Sequence, residues 1–215
     1  LWAMWRVKSV YNYYSEIPAS SGVTGAAVAD AILRRAGIED VEIVELDEML
    51  GDHYDPTQKR LVLSSRNFHG NSLAAIGVSA HECGHAIQHK IAYAPLHWRM
   101  AAVGVTTFAN QLLMWIPLIG LFTGLIRPRT AAWVMAVAWG IIMLFNLVTL
   151  PVEFDASNRA KRILQDMGYV GSAAEMEGVR KTLDAAGWTY VAAFVTSLGW
   201  FLYHLLPLLG GRRDD

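Results

Sequence analysis

Two apolar stretches, residues 100–126 and 131–150, are each long enough to cross a bilayer, and only "RPRT" separates them. So short a link leaves two spanning helices one arrangement, an antiparallel hairpin. The segments before residue 100 and after residue 150 must then emerge on the same side. A third stretch, residues 190–209, is also long enough, although Ser197, Gly199 and His204 dilute it, and "GGRRDD" would end the chain on the far side. Composition agrees: 53% of the 215 residues are hydrophobic and 17% charged, and the mean hydropathy of +0.28 is too high for an ordinary soluble domain. Eight tryptophans and eight tyrosines suit a protein with rings at a membrane interface. The alternative, three buried core helices, is disfavoured by length and lack of charge. "LWAMW", running into Arg6 and Lys8, reads as the end of a further apolar segment.

The water-facing chain falls into two parts. In the first, residues 24–36 read as a helix closed by Gly37, "VEIVEL" alternates like a strand, and "DHYDPTQKRLVLS" reads as a hairpin turning at Asp55-Pro56. Ser72 is placed to cap a long helix through Ala92. In the second, residues 152–167 read as a helix started by Pro151 and ended by Gly168. Ser172 and Glu175 form a capping-box pattern for another helix, ending near Gly187. A net charge of -1 gives no basic excess for phosphates, which excludes nucleic acid as a partner. The single cysteine, Cys83, cannot form an intrachain disulfide.

The long helix carries "HECGHAIQH". On a helix His81 and His85 lie one turn apart on one face, so both imidazoles can reach one ion. Glu82 points about 100° away, where it can hold a water without occupying the metal. A solvated polar helix face is the competing reading. His89 continues the row but lies ~12 Å along the axis from His81, too far to share an ion bound at ~2 Å. Cys83 reads as a small buried side chain rather than a soft ligand.

A hydrolytic zinc site needs three protein ligands and an open position. No histidine follows the motif at metzincin spacing, so the third ligand must come from elsewhere, and "PVEFDASNRAKR" offers Glu153 and Asp155. The hairpin argument puts this segment on the same side as His81. From spacing alone, a ligand and an acid favouring the first turn of a helix stand level.

The stretches "TGAAVADAILRRAGI", "DHYDP", "AHECGHAIQH", "YAPL" and "LPVEFDASNRA" resemble the YugP-type membrane zinc metallopeptidases over nearly the whole chain. That family in turn is similar to the HtpX and CAAX prenyl protease group. The resemblance implies a mainly α, integral membrane protein. Its transmembrane helices would flank a gluzincin-like α+β domain with a small sheet or hairpin before the motif helix. It implies one zinc held by His81, His85 and Glu153, with Glu82 as general base. The expected organisation is a membrane segment at residues 1–8, a metallopeptidase domain at 9–99 and 151–188, a transmembrane hairpin at 100–150 and a last transmembrane helix at 189–210. One departure is that the HtpX and CAAX group carries an aspartate four residues after the glutamate ligand to orient the first histidine. Here that position is Ser157, which brings no charge, and Asp155 is a substitute.

The expected activity is hydrolysis of peptide bonds in membrane or juxtamembrane proteins. His69, Tyr54 and Arg159 are candidates for stabilising the oxyanion, and the strand "RLVLS" for pairing with an extended substrate. The rival classes are a non-catalytic zinc-binding membrane protein, such as an inactive protease homologue, and a metal-free scaffold. Arg6, Lys8, Lys90, Arg99, Arg159, Lys161 and Arg162 flank the motif side against Arg127, Arg129, Arg212 and Arg213 opposite. The balance favours a multi-pass protein of a bacterial-type inner membrane with a cytoplasmic site. The sequence names no regulatory membrane partner.

Overall fold

The computed structural model describes residues 2–47 and 51–210. Among these residues helices dominate, with one three-stranded sheet. The chain divides into two compact units. One comprises residues up to Leu96 together with Val152–Thr189; the other comprises His97–Pro151 and residues from Tyr190 onward.

The first unit begins with α1 (Trp2–Ser15) and α2 (Gly25–Arg35). Thr24 caps α2 by accepting from the Ala27 N–H, and Gly37, at φ +66°, closes it in the left-handed region. The strands are β1 (Glu42–Leu46), β2 (His53–Asp55) and β3 (Arg60–Ser64). Asp55 Oδ1 accepts from the Thr57 and Gln58 N–H groups and forms the turn between β2 and β3, which pair antiparallel. β1 joins parallel on the other edge of β3, in the order β1-β3-β2. "RLVLS" is therefore the central strand, paired along its length with β1 and over residues 60–62 with β2, while the Ser64 N–H donates to the Asp52 carboxylate. The expected substrate-pairing role for that strand is overturned, because a central strand has no free ladder to offer.

A short α3 (Ser65–His69) leads into α4 (Leu73–Lys90), the helix of the histidine motif, capped by Ser72 Oγ accepting from Ala75 N–H. One face of α4, with Ile76, Ala80, Cys83 and Ala86 at helical spacing, is buried with Val28 and Ile32 of α2 and with Leu61 and Leu63 of β3. Ile76 and its valine, isoleucine and leucine partners each contribute roughly 1.5–3 kcal/mol by leaving water. The opposite face of α4 is thereby left for polar work.

Among the described residues three helices are long and apolar enough to cross a membrane: α5 (Ala94–Thr123), α6 (Pro128–Asp166) and α7 (Ala173–Gly210). At most 11% of the residues in their most apolar windows are buried, so these surfaces face outward, as lipid-facing helices do. Two boundaries differ from the sequence reading. Pro151 does not open a new helix but lies inside α6, which runs on to Asp166 before Gly168 ends the turn at φ +71°. Gly187 does not end a helix either. A Cβ there would stand 3.2 Å from the Phe154 ring, so this glycine serves contact with α6 while α7 continues. Within the second unit, Asn146 Nδ2 donates to Ser197 Oγ (3.0 Å) and to the Ala193 carbonyl (3.2 Å), joining α6 to α7. Trp139 stacks on Trp200 with centroids 5.8 Å apart. Residues 1 and 211–215, with the basic pair Arg212 and Arg213, lie outside the described residues.

The fold makes a specific demand at Gly25, where a Cβ would fall 2.2 Å from the Asn67 carbonyl and 2.4 Å from Ser79 Oγ. Gly25→Ala is expected to destabilise the first unit by roughly 1–3 kcal/mol. Gly104→Ala, on a helix surface with nothing within 4 Å, is expected to leave stability unchanged or slightly raised. Thermal unfolding in detergent compares the two.

Candidate metal centre

His81 and His85 project from successive turns of α4, and Glu153 faces them from α6. His81 Nε2 and His85 Nε2 lie 3.4 Å and 3.6 Å from Glu153 Oε2, and one donor atom from each residue falls within a 4.8 Å group. These separations are long for hydrogen bonds. They are close to the ~3.3 Å edge of a tetrahedron with ~2.0–2.1 Å metal bonds, so two imidazole nitrogens and a carboxylate oxygen fit zinc in distance and in chemistry. Glu153 is thus brought to the histidines as the resemblance implied, and Asp155 is not in the donor group.

The approach of the two helices depends on Gly84. A Cβ at this position would sit 2.7 Å from the Ala156 carbonyl oxygen and 3.0 Å from the Ala156 Cα. Backbone cannot move aside as a flexible side-chain tip can, so glycine opposite a small alanine sets how near α4 comes to α6. Nothing in the histidine spacing signals this requirement; the small residue between the two ligands is its only trace in the sequence.

Each histidine is oriented through its other nitrogen. His81 Nδ1 is 3.1 Å from Ser157 Oγ, so Ser157 does meet the first histidine, as a hydroxyl in place of the aspartate of the similar group. His85 Nδ1 is 3.0 Å from Gln88 Oε1. Gln88 is fully buried, and its Nε2 donates to the Val152 carbonyl (2.8 Å) and to Asp155 Oδ2 (2.9 Å). Arg159 Nε donates to the same Asp155 oxygen at 2.6 Å. Asp155 and Arg159 therefore reach the site through Gln88, a residue that sequence reasoning missed. An amide three residues after His85, on the same helix face, was the available signal.

Tyr54 and His69 have other attachments. Tyr54 Oη lies 2.8 Å from His89 Nδ1, one turn past His85, and His69 Nε2 pairs with Glu45 of β1 at 3.1 Å. Cys83 is buried toward α2, its Sγ directed at the Ala29 carbonyl, in agreement with a packing role.

Electrostatics follow from the close grouping of charges. Burial lowers the affinity of His85 for a proton, but the Glu153 carboxylate and the charge of Glu82 outweigh it and hold the metal-free imidazole above its ordinary value. Burial would raise the carboxyl of Glu153, which lies beyond the apolar run of α6. The two imidazoles reverse that and hold it well below the usual carboxylate range. Glu153 is thus an anion, the form a metal ligand requires. Glu82 is buried beside them, 7% exposed.

Two imidazoles and a carboxylate converging on one point, in a chain with three membrane-length helices, define a helical protein with a candidate zinc-binding triad. The family described as "Putative neutral zinc metallopeptidase" matches residues 1–208, and the chain belongs to it. It is 39% identical over 214 residues to the Bacillus subtilis (strain 168) protein described as "Putative membrane protease YugP", covering 100% of this chain and 93% of that protein. No solved structure matches the chain.

Gly84→Ala is expected to lower bound zinc to well under one ion per chain while helical content is retained. Elemental analysis alongside circular dichroism of the detergent-purified variant checks both.

Proposed function

We propose that the protein is a membrane-embedded zinc endopeptidase of gluzincin type that hydrolyses peptide bonds with Glu82 as general base. The observation that carries this reading is the His81, His85 and Glu153 donor set, with both imidazole nitrogens at tetrahedral-edge separations from the carboxylate oxygen and Glu82 on the same helix as the histidines. Zinc held there would lower the pKa of a bound water toward ~7 and polarise a scissile carbonyl. Glu82, adjacent to His81 in the chain, takes the proton of the attacking water on a carboxylate oxygen and passes it to the leaving amine. Ser157 and Gln88 engage the Nδ1 atoms of His81 and His85, which leaves both Nε2 atoms turned toward Glu153. Of the three candidates for stabilising the developing oxyanion, Arg159 is the one bonded into the ligand network, through Asp155 and Gln88.

The reading extends to a multi-pass inner-membrane protein with its site on the cytoplasmic side. The excess of Lys and Arg around the motif supports that orientation. Membrane or juxtamembrane proteins are the substrate class, because Glu153 follows the apolar run of α6 by three residues. The native Cys83 is buried, so cysteines introduced beside the motif report orientation without background. They are expected to resist a membrane-impermeant thiol reagent added outside intact cells and to react in inverted vesicles.

The deciding experiment uses detergent-solubilised and vesicle-reconstituted protein with a quenched fluorescent peptide library and mass-spectrometric mapping of cut sites. Chelation is expected to abolish cleavage, and zinc to restore it. Glu153→Ala is expected to lose the metal. Glu82→Gln is expected to keep about one zinc and lose at least ~10²-fold in turnover, the usual scale for a general base. Full cleavage by Glu82→Gln would overturn the base assignment, and a zinc-loaded parent that cuts nothing would favour a non-catalytic zinc protein.

A further inference from the structure

We propose that Gln88 is a positioning residue that fixes the tautomer of His85 and couples that imidazole, through its amide, to the negative charge of Asp155. The inference rests on the metal reading above for its consequence, but the tautomer itself follows from the hydrogen bonds alone.

A buried primary amide has two donors and one acceptor oxygen to satisfy. The Nε2 of Gln88 lies 2.8 Å from a backbone carbonyl, that of Val152, and 2.9 Å from a carboxylate oxygen of Asp155. Both neighbours only accept, so this end of the amide must be the NH2. A flipped amide would turn its oxygen on two acceptors. The other end, Oε1, is therefore the atom facing His85 Nδ1 at 3.0 Å, and since it can only accept, His85 must carry its proton on Nδ1. Neutral His85 is left with a lone pair on Nε2, which faces Glu153 Oε2 at 3.6 Å, too far for a hydrogen bond to compete with the 3.0 Å contact to Gln88. Arg159 holds Asp155 in place at 2.6 Å, and Gln88 is 0% exposed, so water does not compete for the amide.

The two histidines are thus served unequally. Ser157, opposite His81, can donate or accept, and it is neutral. His85 faces an acceptor that cannot reverse, polarised by a carboxylate one bond further on, which makes its Nε2 the better donor of the pair. In the group of proteases that the sequence resembles, a carboxylate stands opposite the first histidine. In this chain the carboxylate acts on the second, through an intervening amide.

The test compares the parent, Gln88→Met and Ser157→Ala, each in the full chain in detergent. Competition with a chromophoric zinc chelator gives affinity. 15N shifts of histidine-labelled metal-free protein, at a pH where the imidazoles are neutral, give the tautomers. Gln88→Met keeps the length of the side chain but offers no acceptor oxygen. It is expected to bind zinc ~10–100-fold more weakly, the usual effect of removing a partner behind a metal-bound histidine. Ser157→Ala is expected to weaken zinc less. In the parent, His85 is expected to show a protonated Nδ1, and in Gln88→Met a mixture. Equal zinc affinity in the parent and Gln88→Met would overturn the proposal while leaving the metal site standing. Should the parent bind no zinc, the metal reading fails on its own, and the parent's His85 shifts still decide: protonation on Nδ1 supports the assignment, protonation on Nε2 overturns it. The same measurement decides if Gln88→Met fails to fold.

Discussion

The contact on which the site depends is the near approach of two backbones, α4 at Gly84 and α6 at Ala156. A Cβ on Gly84 would be 2.7 Å from the Ala156 carbonyl oxygen, so no other residue allows the helices this spacing. His81 and His85 flank the glycine on one helix, and Glu153 and Ser157 flank the alanine on the other. Once the backbones touch there, the side chains on either side have little choice but to meet. The donor separations of 3.4 Å and 3.6 Å follow from helix geometry around this point.

Bringing such groups out of water carries a cost that the surroundings must offset. Glu153 is almost fully buried, and an isolated buried carboxylate would take up a proton. Here the two imidazoles keep it charged, and a divalent cation would do so more strongly. Gln88 meets the same problem differently, with both ends of its amide engaged. A partly satisfied polar cluster would be worse than an apolar one, whereas a complete one specifies a single arrangement. The opposite face of α4 makes this affordable, because Ile76, Ala80, Cys83 and Ala86 lie in the main hydrophobic core and anchor the helix regardless of what its polar face holds.

Much of this was legible in the sequence where it rests on local periodicity. His81, Glu82 and His85 follow from one helical turn, the cap at Ser72 from residue type, and the membrane-length helices from run length. What escaped notice depends on contacts between elements. Pro151 looks like a helix start and Gly187 like a helix stop, yet α6 and α7 run through both, because the neighbours that make each residue acceptable are distant in sequence. The parallel pairing of β1 with β3 left no local trace and moved "RLVLS" from one strand of a hairpin to the centre of the sheet. Glu153 was level with a first-turn acid until family resemblance favoured it, and Gln88 was unread because its place three residues after His85 acquires meaning only with the Val152 carbonyl and Asp155 of α6 opposite it.

The distinction between a structural and a hydrolytic zinc site turns on the fourth position. Structural sites close with four protein ligands, commonly thiolates. Cys83 is the chain's one thiol, and its Sγ is turned toward the Ala29 carbonyl of α2. Among the described residues the donor group contains three members. His89 sits one turn too far along α4 and is bonded to Tyr54, and Asp155 is engaged by Gln88 and Arg159. A tetrahedral ion held by these three would have one corner without a protein donor among the described residues, with the buried acid of Glu82 next to His81 in the chain. Such a corner, with Glu82 adjacent, would suit the water activation proposed above better than a closed structural site.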